Sequence, residues 1–380
     1  MRSARSPGPA GTAPMPTDNR EPDADADAEL GRHRAAIDAL DREILERLNT
    51  RAVHAQAIGK LKAGGVAYRP EREAQVLRRL QAENRGPLSK EAVAGVFRQL
   101  ISACLALEQP LRVAYLGPPG TFSHAAVPRH FGDFVVAEPY ATIDEVFRAT
   151  ESGRTDYAVV PVENSTEGAV GRTLDLMCQT PLTICGEIKL RIRQNLLANM
   201  TSLADVGKVY SHAQSLAQCA QWLALHLPGV PRIAVASNAE AARLAAAEPG
   251  AAAIAGEIAA AIYGLDVLAP HIEDEPNNTT RFWVLGRQAV PRSGKDETSL
   301  VMSAPNRPGA VYGLLEPLAR HGVSMSRLES RPARTGLWEY LFFVDLEGHV
   351  TDPQVAVALN ELRDKAPFLK LLGSYPAAVY

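Results

Sequence analysis

The decapeptide Pro161 to Val170, PVENSTEGAV, sets carboxylates, an amide and two hydroxyls between apolar stretches. Three other stretches share its character: GPPGTFSHAA from Gly117, YSHAQSLAQC from Tyr210 and NNTTRF from Asn277. Such groups donate and accept hydrogen bonds, so together they could line one site and meet an anion there. Each stretch alone could be a cap or a turn, and a single His such as His212 is more often a supporting residue than a catalyst. A second set is cationic. Arg51 lies seven residues after Ile44 and seven before Ile58, inside the apolar stripe of a helix, and Lys62 follows eleven residues later at nearly the same azimuth. A solvated charge run would occupy the opposite face. Long basic side chains on an apolar stripe either snorkel to water or line a pocket for an anion.

Periodicity gives the elements that must position these groups. Tyr157 to Val162 has the length and apolarity of a buried strand, so the polar run after it sits at a carboxyl end, where open α/β sheets bind ligands. There Ser165 or Thr166 could cap a following helix and leave its N–H groups to meet an anion. Strands are expected at 112–116, 134–137, 157–162, 206–210, 233–236, 252–255 and 282–285, and helices at 143–150, 213–225 and 238–247. This alternation predicts a largely parallel sheet split into two lobes, with 190–197 as the crossover. The Gly117 to Thr121 turn lacks the Lys-Ser/Thr of a phosphate loop and reads as a turn lining a cleft. Upstream, one long helix is expected over 30–62, ended by Gly64-Gly65, with shorter helices over 71–84 and 90–107. Three helices so unequal cannot bury the long one's apolar face, which predicts a helical dimer. Downstream, strands at 299–303, 323–328, 337–345 and 369–373 with helices at 309–321 and 352–365 give the β-α-β-β-α-β order of a ferredoxin-like fold.

A chain of 380 residues exceeds one ordinary core. Its 46% hydrophobic and 22% charged composition is that of a soluble globular protein, and a net charge of -3 gives no reason to expect nucleic acid or a membrane as partner. Cys104, Cys178, Cys185 and Cys219 form no metal-ligand spacing and read as reduced, buried thiols; no metal and no cofactor is expected. No apolar run is long enough for a bilayer and the start lacks the apolar core of a signal peptide, so a cytoplasmic protein is expected. Residues 1–28 have almost no large apolar side chain and read as a disordered tail. The domains are drawn at 29–109, 110–290 and 297–380.

The runs HRAAIDALDREILERLNTRAVHAQAIGKLK, RPEREA and FRQLISACLALE resemble the all-helical chorismate mutase family. The resemblance implies that Arg51, Lys62, Arg72 and Glu73 form a pocket with Arg34 of a second chain and grip the carboxylates and a hydroxyl of chorismate. The residue types suit the reaction, because a Claisen-type rearrangement needs only a held conformer and cations where negative charge develops. The sequence departs from the best-known members in carrying Arg69, Cys104 and Glu108 where an acidic residue, Ser and Gln are expected. Glu108 is four residues after Cys104 and so expected on the same helical face, and the resemblance implies that it stands where a donor must meet the ether oxygen of chorismate.

LGPPGTFSHAA, VVPVENSTEGAV, YSHAQSLAQC and NNTTRF, in this order, resemble prephenate dehydratase over about 112–287. The resemblance implies two α/β lobes of the periplasmic-binding-protein type that close on prephenate, with Thr280 as the essential hydroxyl. It places Asn164, Ser165, Thr166, Ser211, Gln214, Arg281 and Phe282 around the substrate; since a threonine hydroxyl is a weak acid, the departing hydroxyl also needs a proton source, for which Glu163 and His212 are the two candidates. PNRPGAVYGLL and LESRP resemble the ACT domain fused to such enzymes. Gly309, Ala310 and Val311 with Glu329, Ser330, Arg331 and Pro332 would then hold phenylalanine between two chains. The implied whole is a multidomain, bifunctional chorismate mutase and prephenate dehydratase under phenylalanine feedback, working as a homodimer or larger homo-oligomer. Its rivals are a dehydratase of prephenate or arogenate whose helices serve only dimerisation, and a non-catalytic amino-acid sensor.

Overall fold

The computed structural model describes residues 24–62, 68–304, 307–333 and 340–379. The chain divides into two compact units, Met1–His54 and Ala55–Tyr380. The first is built on helix α1 (Ala24–Lys62), whose first turn carries Asp25 and Asp27, anions suited to the positive end of a helix dipole. The helix thus begins inside the stretch expected to be a disordered tail, while residues 1–23 and the Gly64-Gly65 break lie outside the described residues. Leu30, Ile37, Leu40, Ile44 and Leu45 of α1 are each at least 46% exposed.

The second unit opens with the end of α1, followed by α2 (Pro70–Glu83) and α3 (Lys90–Ala106). Pro70 lacks an N–H where the first turn needs none, and Ser89 caps α3 by accepting from Ala92 N at 3.1 Å. The central segment runs β1 (Arg112–Leu116), α4 (Phe122–Phe131), β2 (Val136–Tyr140), α5 (Ile143–Glu151), β3 (Tyr157–Asn164), β4 (Gly168–Ala169), α6 (Gly171–Met177) and β5 (Thr183–Arg191). It continues through β6 (Asn195–Ala198), β7 (Lys208–His212), α7 (Ala213–Gln218), α8 (Ala220–His226), β8 (Arg232–Val235), α9 (Asn238–Ala247), β9 (Ala251–Ala255), α10 (Glu257–Tyr263), β10 (Asp266–Ala269) and β11 (Thr279–Gly286).

Two sheets result, β2-β1-β3-β11-β5 with β4 beside β3, and β10-β6-β9-β7-β8, and they are the two α/β lobes. They are mixed, not largely parallel: β11 runs antiparallel to β3 and β5, and β6 to β9 and β10. Residues 190–197, expected as crossover alone, hold the end of β5 and most of β6; charged residues at 187, 189 and 191 interrupt the first and the second is only four residues long, so neither gives the apolar run that signals a strand. The helix expected over 213–225 breaks at Cys219. After β3 the chain turns into β4, so Ser165 and Thr166 cap no helix, and α6 starts only at Gly171.

The last segment is β12 (Asp296–Ala304), α11 (Ala310–Arg320), β13 (Met325–Pro332), β14 (Tyr340–Glu347), α12 (Pro353–Lys365) and β15 (Leu369–Pro376). Its antiparallel sheet, β13-β14-β12-β15, is ferredoxin-like, and α11 and α12 pack on one face through Leu314, Leu318, Leu359 and Leu362. The other face joins the first lobe, where Val301, Phe343, Leu372 and Tyr375 share a buried cluster with Val160, Leu174 and Trp283. Gly373 permits this approach, since a Cβ there would collide with the backbone of Ile184 in β5.

Candidate active site

Side chains alternate between the faces of a strand, and β11 uses that alternation to divide its residues. Thr280 and Phe282 line a cavity of about 440 Å³ between the two lobes. Opposite Thr280 in the ladder stands Asn164, the last residue of β3. Its Oδ1 accepts from the backbone N–H groups of Thr166 (3.0 Å) and Glu167 (3.2 Å). A backbone N–H can only donate, so the amide orientation is fixed, and Nδ2 faces Thr280 Oγ1 and Asn278 Oδ1, each at 2.8 Å. Thr280 therefore accepts from Asn164 and keeps its own hydrogen for the cleft.

The same reasoning carries along the cleft wall. Asn278 Nδ2 donates to Gln218 Oε1 (3.1 Å), and Gln194 Nε2 donates to Gln218 Oε1 (3.3 Å) and Ser215 Oγ (3.0 Å). In the second lobe Asn238 Oδ1 accepts from His212 N (3.1 Å) and Ser211 Oγ (3.0 Å), so its Nδ2 donates to Ser215 Oγ (2.9 Å). With two amides donating to it, Ser215 also keeps its hydrogen for a ligand. Ser211 is fully buried and holds Asn238 from behind. His212 Nδ1 accepts from Gln214 N (3.4 Å), which puts the ring hydrogen on Nε2, and both residues line the cavity. Ser165 Oγ accepts from Thr279 N (3.0 Å) and pins the turn to β11, while Thr166 Oγ1 donates to Asn164 Oδ1 (2.6 Å).

No Lys or Arg is among the described residues lining this cavity. An anion there must be met by hydroxyls, amides and the N–H groups at the starts of α4 and α9, whose capping residues Thr121 and Ser237 both line it. Sequence reasoning did not single out Gln194, Ser215, Gln218, Asn238 or Asn278. Three of these fall inside the stretches YSHAQSLAQC and NNTTRF, whereas Gln194 and Asn238 carry no local signal beyond a place at an element's end.

Two expected substrate contacts face away from the cleft. Arg281 Nε donates to Glu187 Oε2 (2.9 Å), Nη2 to Glu297 Oε2 (3.1 Å) and Tyr375 OH (3.1 Å), and Nη1 to Asp345. Glu163, opposite Arg281 in the ladder, pairs with Arg327 of β13 at 2.9 Å. Alternation is the reason: with Thr280 and Asn164 turned into the cleft, their neighbours Arg281 and Glu163 turn towards the ferredoxin-like sheet.

Residues 33–109 match the family model described as chorismate mutase type II, 113–290 prephenate dehydratase and 298–364 the ACT domain. A chain of Neisseria gonorrhoeae described as bifunctional chorismate mutase/prephenate dehydratase is 57% identical over 350 residues, covering 91% of this chain and 97% of that one. This chain belongs to the bifunctional chorismate mutase/prephenate dehydratase family. Among solved structures, a prephenate dehydratase from Arthrobacter aurescens in complex with L-Phe is 36% identical, with TM-score 0.65 over 70% of this chain and 90% of that one. GqqA, described as a novel type of quorum quenching acylase, is 31% identical, with TM-score 0.66 over 70% of this chain and 98% of that one. Since one architecture appears under two activities, the chemistry must be argued from side chains.

In the chorismate mutase domain, Arg34 is exposed and Arg51 half-buried on α1, and Lys62 is the last residue of that helix. Arg72 is exposed in the first turn of α2. Its neighbour Glu73 is buried against Arg98 of α3 (3.2 Å) and lines a cavity of about 40 Å³ with Arg129, His130 and Glu187. Glu73 therefore faces the dehydratase lobe, on a different side of α2 from Arg72, and burial pushes its carboxyl up against the opposing pull of Arg98. Cys104 is buried, but α3 stops at Ala106, so Glu108 does not continue its face. Instead Glu108 lies against Gly59 of α1, where a Cβ would collide with its carboxylate.

In the ACT domain, Gly309 adopts the left-handed conformation (φ 75°) ahead of α11, and Ala310 and Val311 open that helix. Glu329, Ser330, Arg331 and Pro332 finish β13 at the same end of the sheet, since Pro332 pairs with Tyr340 and Tyr340 with Ala304. Arg331 turns inward to Asp175 of α6 (3.1 Å), beside a cavity of about 560 Å³ also lined by Phe343 and Phe368.

Proposed function

We propose that this chain rearranges chorismate to prephenate in its helical domain (29–109), converts prephenate to phenylpyruvate in the cleft of the dehydratase domain (110–290), and takes phenylalanine as a feedback inhibitor at its ACT domain (297–380). The observation that carries the dehydratase reading is the Thr280 hydroxyl, held as acceptor by Asn164 at the wall of a cleft whose described lining residues include no Lys or Arg. In prephenate the electrons of the bond to the departing carboxylate enter the ring as the bond to the ring hydroxyl breaks, and aromatisation drives both changes. The hydroxyl must collect a proton to leave as water. Thr280 donates the hydrogen bond that guides it, and His212, which lines the cleft, is the proton source when its ring arrives protonated, returning to the neutral ring afterwards; Glu163, turned to Arg327, is not. The starts of α4 and α9 and the Ser215 hydroxyl receive the pyruvyl carboxylate.

The mutase reading requires a second copy. Arg34 and Arg51 are seventeen residues apart on one helix, about 25 Å along its axis at 1.5 Å per residue, so one chain cannot bring both to one chorismate. A homodimer with α1 packed on its partner would supply Arg34 from the other chain and cover the exposed stripe of Leu30, Ile37 and Ile44. Among the described residues no helix is long and apolar enough to cross a membrane, and a cytoplasmic location suits both substrates. The test is to supply chorismate to the pure protein and follow prephenate and phenylpyruvate with and without phenylalanine. Appearance of both products, the second suppressed by phenylalanine, is expected. Prephenate without phenylpyruvate would remove the dehydratase, and a faster reaction with arogenate would change its substrate.

A further inference from the structure

We propose that Arg281 is a positioning residue for dehydration, through which the ACT sheet sets the place of the Thr280 hydroxyl. The two residues are consecutive, with Cα atoms held about 3.8 Å apart by the trans peptide, so moving the guanidinium moves the backbone that carries the catalytic hydroxyl. That guanidinium is gripped from three strands of the ACT sheet, by Glu297 of β12, Asp345 of β14 and Tyr375 of β15, and from its own lobe by Glu187 of β5.

The bonds have only one consistent direction. Arg281 donates to Tyr375 OH, whose hydrogen passes to Ser299 Oγ (2.7 Å); Ser299 donates to Asp345 Oδ1 (2.5 Å), and Asp345 Oδ2 accepts from Arg281. The ring closes with every member satisfied. Burial and then the Asp345 carboxylate push the Tyr375 phenol well above its ordinary value, so it keeps the proton the ring requires. Burial works against the charge of Arg281, but Tyr375, Asp345 and Glu187 outweigh it. A buried, satisfied network of this kind holds one arrangement or changes to another; it does not stretch continuously.

A second arginine acts in the same direction. Arg327 of β13 pairs with Glu163, the residue before Asn164, and Asn164 fixes the Thr280 oxygen. Both groups that define the hydroxyl therefore have an immediate neighbour clamped by the ACT sheet. The regulatory half of this inference rests on phenylalanine acting at the ACT domain.

The full-length enzyme tests it through Arg281→Lys, which keeps the charge and loses the fork. Dehydratase kcat should fall at least tenfold with KM changed less than threefold, while mutase kcat stays within twofold. Calorimetry should find phenylalanine bound with Kd within threefold of wild type, yet saturating phenylalanine should change the remaining dehydratase activity less than twofold. A raised KM with intact kcat would make Arg281 a substrate anchor and overturn the inference, as would full inhibition at saturation. Tyr375→Phe preserves every charge and nearly all packing, and opens the ring; it should lose at least two thirds of the inhibition, and undiminished inhibition in this variant also overturns the relay. Wild-type enzyme run alongside separates the two readings, because absence of phenylalanine binding there removes the sensor while the kcat and KM split still reports on positioning.

Discussion

At the residue scale, orientation matters more than identity. Thr280 is a poor acid, and what equips it is Asn164, which occupies its oxygen and directs its hydrogen. Thr280→Ala should lower dehydratase kcat by about 100-fold or more, the usual range for losing a positioned proton donor, with mutase activity within twofold of wild type. Thr280→Ser keeps the hydroxyl and should recover most of the rate; if alanine and serine behave alike, the hydroxyl has no part in the reaction. Glu108 offers a second test. Only a protonated carboxyl can donate to the ether oxygen of chorismate, and Gly59 provides the space in which Glu108 lies. Gly59→Ala should make α1 a better helix by about 1 kcal/mol in propensity, yet displace the carboxylate and reduce mutase kcat severalfold. Unchanged mutase kinetics in Gly59→Ala and in Glu108→Gln would place Glu108 outside the reaction.

At the element scale, α1 presents apolar side chains that its own chain leaves exposed and cations too far apart to share one ligand. If the mutase site combines Arg51 of one copy with Arg34 of another, the two alanine variants should each be nearly inactive and should complement each other. Dimers reassembled from a one-to-one mixture of Arg34→Ala and Arg51→Ala chains are half heterodimers, each with one intact site of two, so roughly a quarter of wild-type mutase activity should return. No recovery after verified subunit exchange would mean that each site is built within a single chain. The long helix itself was legible in the sequence because no proline breaks its period, and the ferredoxin-like order was legible because strand-length runs alternate with the helical patterns of α11 and α12. Strand β5 is hard to read because Gly186, Glu187, Lys189 and Arg191 interrupt its apolar residues, and β6 because it is only four residues long, while the sense of β11 cannot be read from a pattern that is the same in either direction. The motif NNTTRF read as a unit puts Arg281 in the substrate shell, whereas period-two alternation along β11 separates it from Thr280 and Phe282.

At the scale of the whole molecule, the domains meet around titratable groups that no single domain pattern reveals. Tyr68, just ahead of α2, lies with its hydroxyl 3.0 Å from His130 Nε2 in α4, and Arg98 of α3 and the carboxy-terminal residues 376–379 enclose the same small cavity. Burial, foremost, and then the charge of Arg98 push His130 down from its ordinary 6.5 to about 3. The Tyr68 phenol is pushed well above its ordinary value, chiefly by burial, so it is the donor and His130 Nε2 the acceptor. In the unfolded chain the ring takes a proton below its ordinary value, and in the folded chain it resists until much lower pH. Stability from this pair is therefore complete above about 6.5 and is lost as pH falls towards about 3. His130 as a residue is only half-buried, so a loss of roughly 3 kcal/mol at pH 4 is an upper bound. His130→Gln preserves an acceptor for Tyr68 without a titrating ring. Denaturant unfolding of this variant between pH 7 and pH 4 should give a flatter dependence than wild type, with the difference between the two proteins shrinking as pH falls. Parallel curves over that range would show that His130 takes up its proton equally in both states, and acid sensitivity at the domain junction would then belong to other groups.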